Sequence, residues 1–334
     1  MRLDPHAKVL VINVCRIGDT VLATPALQAL RRALPHGHLT VLGHPKRVAV
    51  LQNLPFIDQL GAITPSRAHW LGHFPGQRYD VALVYGGDAP LLKFARRVAR
   101  YTVGFEQEDH RHHRWLDQIV SVPGADTPAV KQALALPAAL GVQTERLRTR
   151  YEVLPAEARR AERWVLRHRL QDRPLIGLQV ASFPTKPYRD WPLHRFTELM
   201  DWLLEDDPRR HFIVLGDALS TPRARELKQH FPEHVTIATG AFNLRDNAAL
   251  MQQLSLYIGV DTGPTHLAAA LGLPMVALYH CLHPSRIYGP IQHPLARTID
   301  HPAPHGRCRV DTDMSEIMVA PVYQAATELL RVMQ

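Results

Sequence analysis

Nine short runs, apolar at nearly every position, punctuate the chain, with helix-like segments between them. They fall at 8–14 (KVLVINV), 39–44, 81–86 and 101–104 in the first half. In the second half they fall at 174–180 (PLIGLQV), 212–216, 235–239, 256–260 and 275–280. A strand with one wet face alternates apolar and polar residues, whereas a strand covered on both faces stays apolar throughout. Alternation of such strands with helices, twice over, predicts two Rossmann-like α/β domains built on parallel sheets. The stretch 150–173 (RYEVLPAEARRAERWVLRHRLQDR) starts extended around Pro155 and continues as a charged amphipathic helix. The boundary is therefore placed near 155, with a first domain over 1–155 and a second over 156–320. Val322, Ala325, Ala326, Leu329 and Leu330 recur at helical spacing and predict a docked terminal helix over 321–334.

Composition narrows the function classes. Of 334 residues, 46% are hydrophobic and 21% charged, enough apolar material for two cores and too much for disorder. No apolar run approaches the roughly 20 residues that cross a bilayer. The N-terminal MRLDPHAKVLVINV carries an acid and a proline ahead of its apolar stretch, unlike a signal peptide. Cys15, Cys281 and Cys308 lie far apart with no CxxC spacing, which argues against structural zinc and a disulfide framework and fits a reducing cytoplasm. No GxGxxG follows a strand and no GxxxxGK[ST] loop occurs, against a dinucleotide oxidoreductase or a P-loop NTPase. The net charge of +8 reads either as a solvated basic surface or as a surface for an anionic partner. No stacking or recognition motif for nucleic acid accompanies it.

Ligands of open parallel sheets bind beyond the carboxyl ends of the strands, and three post-strand loops stand out. Arg16-Ile17-Gly18-Asp19-Thr20 offers a glycine for a tight turn and a carboxylate at a helix mouth. Asp19 there is either an N-cap or a general base. Pro25, in Thr24-Pro25, opens the following helix or kinks it. Asp261-Thr262-Gly263-Pro264-Thr265-His266 opens a helix that should stop at Gly272. The loop is an ordinary cap built on Asp261 or Thr262, or an anion site made from free backbone N–H groups. Ser182 to Pro192 holds Ser182, Lys186 and Arg189, either a solvated basic loop or cations that offset a leaving diphosphate without a metal.

Together these motifs resemble glycosyltransferase family 9, the ADP-heptose:lipopolysaccharide heptosyltransferases. The residues are Ile17-Gly18-Asp19 with Thr24-Pro25-Ala26-Leu27, the Asp261–Ala270 block, and Arg189-Asp190-Trp191-Pro192 in place of a K-x-W-P element. The resemblance implies a GT-B fold: an acceptor-binding first domain facing a nucleotide-sugar-binding second domain across a cleft, with the terminal helix packing back toward the first. It implies an inverting, metal-independent transfer from ADP-heptose to the phosphorylated inner core of lipopolysaccharide. The enzyme would work in the cytoplasm, peripheral at the inner face of the cytoplasmic membrane, with no cofactor and no resident metal. Asp19 matches the proposed base; Gly18 and Thr20 flank it on the acceptor side. Ser182, Asp261, Thr262, Gly263 and His266 fall on the donor side, and Lys186, Arg189 or both meet the diphosphate. Two positions depart from the pattern. Arg189 stands where lysine is usual, and a planar guanidinium is not a point ammonium. His280-Cys281-Leu282-His283-Pro284 replaces a small Gly-Pro-Thr-like turn and remodels one wall of the donor pocket.

Other readings stay open at this level. They are a related enzyme on another sugar nucleotide and a non-catalytic nucleotide or glycan binder. The cations of 91–114 form either a solvated face or a surface for the acceptor. His110, His112 and His113, at i, i+2 and i+3 without a partner motif, read as a basic loop rather than a metal site.

Overall fold

The computed structural model describes residues 2–71 and 78–332. The chain divides into two compact units, Met1–Glu152 and Val153–Gln334, a few residues before the boundary expected from sequence.

Each unit is built on one six-stranded parallel sheet. In the first, β1 (Lys8–Asn13), β2 (His38–Gly43), β3 (Gln59–Ala62), β4 (Tyr79–Val84), β5 (Ala99–Phe105) and β6 (Gln118–Val120) lie in the order 3-2-1-4-5-6. In the second, β7 (Leu175–Gln179), β8 (His211–Leu215), β9 (Val235–Ile237), β10 (Leu256–Val260), β11 (Met275–Tyr279) and β12 (Ala296–Asp300) lie in the order 12-11-10-7-8-9. Every pairing is parallel. Counted from the first strand of each unit the two orders are the same, with the chain reversing direction across the sheet between β1 and β4 and between β7 and β10. Those are the switch points where loops diverge and leave a crevice.

The central strands behave as their composition demands. β7, β8, β10 and β11 are buried at every residue, and helices cover both faces. Leu10, Ile12, Ala82 and Val84 pack with Leu91, Leu92 and Ala95 in the first core. Ile176, Leu178, Phe212, Ile258 and Val276 pack with Phe196, Met200 and Leu203 in the second. The sequence reading misses β3, β6 and β12. All three are edge strands, only partly buried, and polar residues interrupt their apolar pattern.

Two local expectations resolve cleanly. Pro25 opens a helix: Ile17–Leu22 ends, Ala23 intervenes, and Thr24–Ala33 begins with Pro25 in its first turn. Gly272 ends the helix Gly263–Leu271 in the left-handed conformation, at φ 78°, which a side chain resists. The terminal helix runs Val319–Val332, residues 333–334 of the expected span lying outside the described residues. It buries Val322, Ala326 and Leu329 in the second core.

Candidate functional site

The strongest cluster stands at the second switch point. β7 and β10 are adjacent and parallel, so the loops leaving their carboxyl ends must meet. One loop carries Ser182, Lys186 and Arg189; the other carries Asp261 to His266. Asp261 and Arg189 are 4% and 8% exposed. An Nη1 of Arg189 donates to Oδ2 of Asp261 at 2.9 Å, and Nε2 of His266 lies 3.4 Å from the other carboxylate oxygen. A buried carboxylate without partners would be expelled or protonated; here a guanidinium and an imidazole hold it. Arg189 keeps an unpartnered buried Nε.

Asp261 is therefore not a helix cap, and neither is the Thr262 side chain. Thr262 occupies the N-cap in extended geometry without a side-chain cap. Its hydroxyl donates to the Val260 carbonyl at 3.3 Å. Thr265 donates to the same carbonyl and exchanges a hydrogen bond with the buried Tyr257 hydroxyl. In the first turn Pro264 has no N–H and the His266 amide donates to the Thr262 carbonyl at 3.3 Å, so the Gly263 and Thr265 N–H groups are the ones such a helix end can offer an anion. The helix dipole adds partial positive charge at the same point.

The β7 loop is braced rather than loose. The Ser182 amide donates to Asp190 at 2.6 Å, and the Ser182 hydroxyl donates to the Lys186 carbonyl at 2.7 Å. Ser182, expected on the donor, thus shapes the turn that presents Lys186. Trp191 is fully buried and donates its indole N–H to the Ile317 carbonyl at 2.9 Å, fixing where Arg189 leaves the loop. The half-buried Lys186 ammonium makes no ion pair among the described residues, in contrast to Arg189.

The His280–Pro284 turn, expected to alter one wall of the donor pocket, meets a residue the sequence did not single out, Tyr188. Tyr188 lies edge-to-face on His280 at 5.1 Å and tilted against His283 at 6.2 Å, and the Arg189 guanidinium sits 5.8 Å from its ring centre. Burial, and after it the Arg189 charge, push the His283 imidazole down to about 4, so it is neutral at pH 7 with an unpartnered Nδ1. The unusual HCLHP turn marked this wall in the sequence, but only the fold brings it to Tyr188.

In the first unit, Asp19 is the third residue of the helix Ile17–Leu22, at the carboxyl end of central strand β1. The N-cap reading of Asp19 is corrected: Arg16 occupies that position. Gly18 lies in the helix without a positive φ, so no tight turn depends on it. The Asp19 carboxylate is exposed and accepts no side-chain hydrogen bond or ion pair among the described residues. Thr20 donates its hydroxyl to the Arg16 carbonyl at 2.7 Å, closing the turn. Nearby, burial and then the Asp19 charge push the Cys15 thiol up to about 12.

Two other readings, on the histidine cluster and on the cysteines, meet different outcomes. His110, His112 and His113 lie on a 3-10 turn. His113 accepts the Gln107 amide and His112 faces Asp109, so among the described residues they converge on no shared ligand point. Cys281 and Cys308, expected to be unpaired, form a disulfide with Cα atoms 5.8 Å apart. They follow adjacent parallel strands β11 and β12, whose carboxyl ends lie together, so a spacing of 27 residues closes. Of the cations in 91–114, Arg96, Arg100 and Arg111 are paired with Asp117, Asp80 and Asp109. Lys93 and Arg114 instead lie over the Trp115 ring.

Residues 74–317 match the model of glycosyltransferase family 9 (heptosyltransferase). The chain is 24% identical over 282 residues to lipopolysaccharide heptosyltransferase 3 of Escherichia coli, covering 78% of this chain and 80% of that one. Its fold is similar to a family 9 glycosyltransferase from Veillonella parvula, with a TM-score of 0.85, 23% identity and 99% of both chains covered. It is also similar to ADP-heptose lps heptosyltransferase II of E. coli, with a TM-score of 0.80, 20% identity, and 98% and 99% covered.

Proposed function

We propose, for a chain that belongs to glycosyltransferase family 9, the heptosyltransferases, an inverting and metal-independent transfer of heptose from ADP-heptose to the inner core of lipopolysaccharide. The observation that carries the donor half is the uncapped helix end at Thr262–Gly263, set beside the buried Asp261–Arg189 pair. It offers a nucleoside diphosphate the Gly263 and Thr265 N–H groups and the positive end of the helix dipole. Asp261 neutralises most of the Arg189 charge and aims it. Lys186, which makes no ion pair among the described residues, is the cation that meets the phosphate oxygens as the glycosidic bond breaks. The curated relatives' names, which refer to lipopolysaccharide and lipooligosaccharide, support the acceptor class.

Inversion at the anomeric carbon takes one in-line displacement. An acceptor hydroxyl attacks, the C–O bond to the diphosphate breaks, and the hydroxyl proton goes to a base. Asp19 suits that role because its carboxylate is exposed and uncommitted, at the carboxyl end of a central strand. Base and anion site stand on separate units, so turnover requires them to meet. No helix among the described residues is long and apolar enough to cross a membrane. The surplus of eight positive charges suits a phosphorylated acceptor at the inner face of the cytoplasmic membrane, where the enzyme acts peripherally. Lys93 and Arg114, free of acids among the described residues, are the cations we assign to it.

A donor screen by calorimetry and turnover in excess EDTA tests this reading. The expected result is tighter binding of ADP-heptose than of UDP- or GDP-sugars, with undiminished transfer under chelation. A strict Mg²⁺ requirement would contradict the cation assignment. Preference for another sugar nucleotide would favour the second reading, which the His283 wall supports: a relative with an altered donor.

A further inference from the structure

One cluster of metal-ligating side chains plays no part in the chemistry above. His280, Cys281 and Cys308 are all buried, and their ligand atoms lie within 4.8 Å of one another. Among the described residues no other histidine, cysteine or carboxylate group converges in this way. Two of the three ligands follow β11 directly, and the third arrives on the segment after β12.

The histidine is oriented as a ligand would be. Its Nε2 faces the Thr312 carbonyl at 3.2 Å. A carbonyl cannot donate, so Nε2 carries the proton and Nδ1 presents a lone pair. Nδ1 points at the Leu282 amide, 3.2 Å away, and at the Cys281 sulfur, 3.9 Å away. A backbone carbonyl on the far nitrogen is the usual device that fixes a metal-binding imidazole. His301 is pinned in parallel, its Nε2 facing the Asp313 carbonyl at 2.9 Å. The 312–313 backbone is thus held by two histidines, and the ligand frame is stiff.

We propose that His280 Nδ1, Cys281 Sγ and Cys308 Sγ form a redox-gated site for one thiophilic divalent cation of the zinc class. In the disulfide state the sulfurs are bonded to each other and the site is closed. A dithiol reductant supplies two electrons and two protons: the S–S bond breaks, two thiols form, and the dithiol becomes its own disulfide. The cation, unchanged in oxidation state, then displaces both thiol protons and takes two thiolates and the imidazole. It exchanges the Leu282 amide for itself at Nδ1. Two sulfurs and one nitrogen match the preference of zinc and leave its fourth tetrahedral position to solvent. The backbone spacing serves both states. A Cα separation of 5.8 Å suits a disulfide, and sulfurs on a tetrahedral zinc need move apart by only about 2 Å. The site adjoins the donor wall through the His280–Tyr188 contact, but the proposal does not depend on the donor assignment.

The test uses the full chain, reduced with a dithiol, freed of reductant under inert gas, and titrated with Zn²⁺ against a chromophoric chelator. One equivalent should bind tightly, and Co²⁺ in its place should show sulfur-to-metal charge-transfer absorption. Reoxidised protein should bind none at this site. Cys281→Ser and Cys308→Ser should each abolish the tight equivalent and the absorption, and His280→Gln should weaken binding at least tenfold. A thermal melt of each variant reports whether it is folded; if one Cys variant fails to fold, the other serves. No stoichiometric binding by the reduced wild type overturns the site. So does equal binding by the serine variants, which would assign the metal to surface histidines, of which the chain has many among its 20.

Discussion

Asp261 has two carboxylate oxygens, and both are engaged, one by Arg189 and one by His266. That division separates two kinds of positive charge in one loop. Removing Asp261 strands a buried guanidinium. Asp261→Ala should lower the unfolding free energy of the second unit by about 3–5 kcal/mol, measured by chemical denaturation. Lys186 lies in the same loop without an acid. Lys186→Ala should leave stability within about 0.5 kcal/mol yet weaken ADP binding roughly tenfold, about 1.4 kcal/mol, by calorimetry. Sequence motifs single out the acid and both cations but not which cation the acid consumes. That depends on two loops 72 residues apart meeting at neighbouring strand ends. The same limit hid the contact of Tyr188 with His283, which spans 95 residues and follows from the placement of β7 and β11. Asp19 was legible as a candidate, but cap and base could be separated only when Arg16 proved to hold the cap position.

At the level of the element, strands were legible in proportion to burial. β1, β7, β10 and β11 lie in the sheet interiors and read as apolar runs. β3, β6 and β12 have one open edge and mixed residues, so nothing in their composition distinguishes them from loops. Helix ends were legible where backbone geometry demands a residue type. Gly272 holds φ 78°, a conformation that costs a side chain about 1–2 kcal/mol. Gly272→Ala should lower the melting temperature through that cost alone, with the circular dichroism spectrum unchanged; a neutral result would mean the helix end relaxes. The disulfide was not legible, because it depends on β12, a strand the sequence did not announce.

For the molecule as a whole, the buried His211 and the half-buried His283 shape the response to mild acid. Burial, followed by Arg173, pushes His211 down to about 3, and burial with Arg189 pushes His283 down to about 4. Both are neutral when folded at pH 7 and protonate near 6.5 when unfolded. Below that pH the unfolded chain binds more protons, so stability should fall as pH drops from about 6.5 toward 4, and for His211 on toward 3. His211→Gln should flatten part of that slope in denaturation curves taken across the range. The charge surplus and the two-unit organisation were legible from composition and periodicity; the pairing of Arg96 and Arg100 with Asp117 and Asp80 was not, since it follows from tertiary neighbours. The account as a whole assigns proton acceptance to one unit and diphosphate binding to the other, and Asp19→Asn separates them in a single variant. Transfer should fall by at least about 10² while ADP affinity, by calorimetry, stays within about twofold. Loss of ADP binding together with transfer, or transfer that survives, would contradict it.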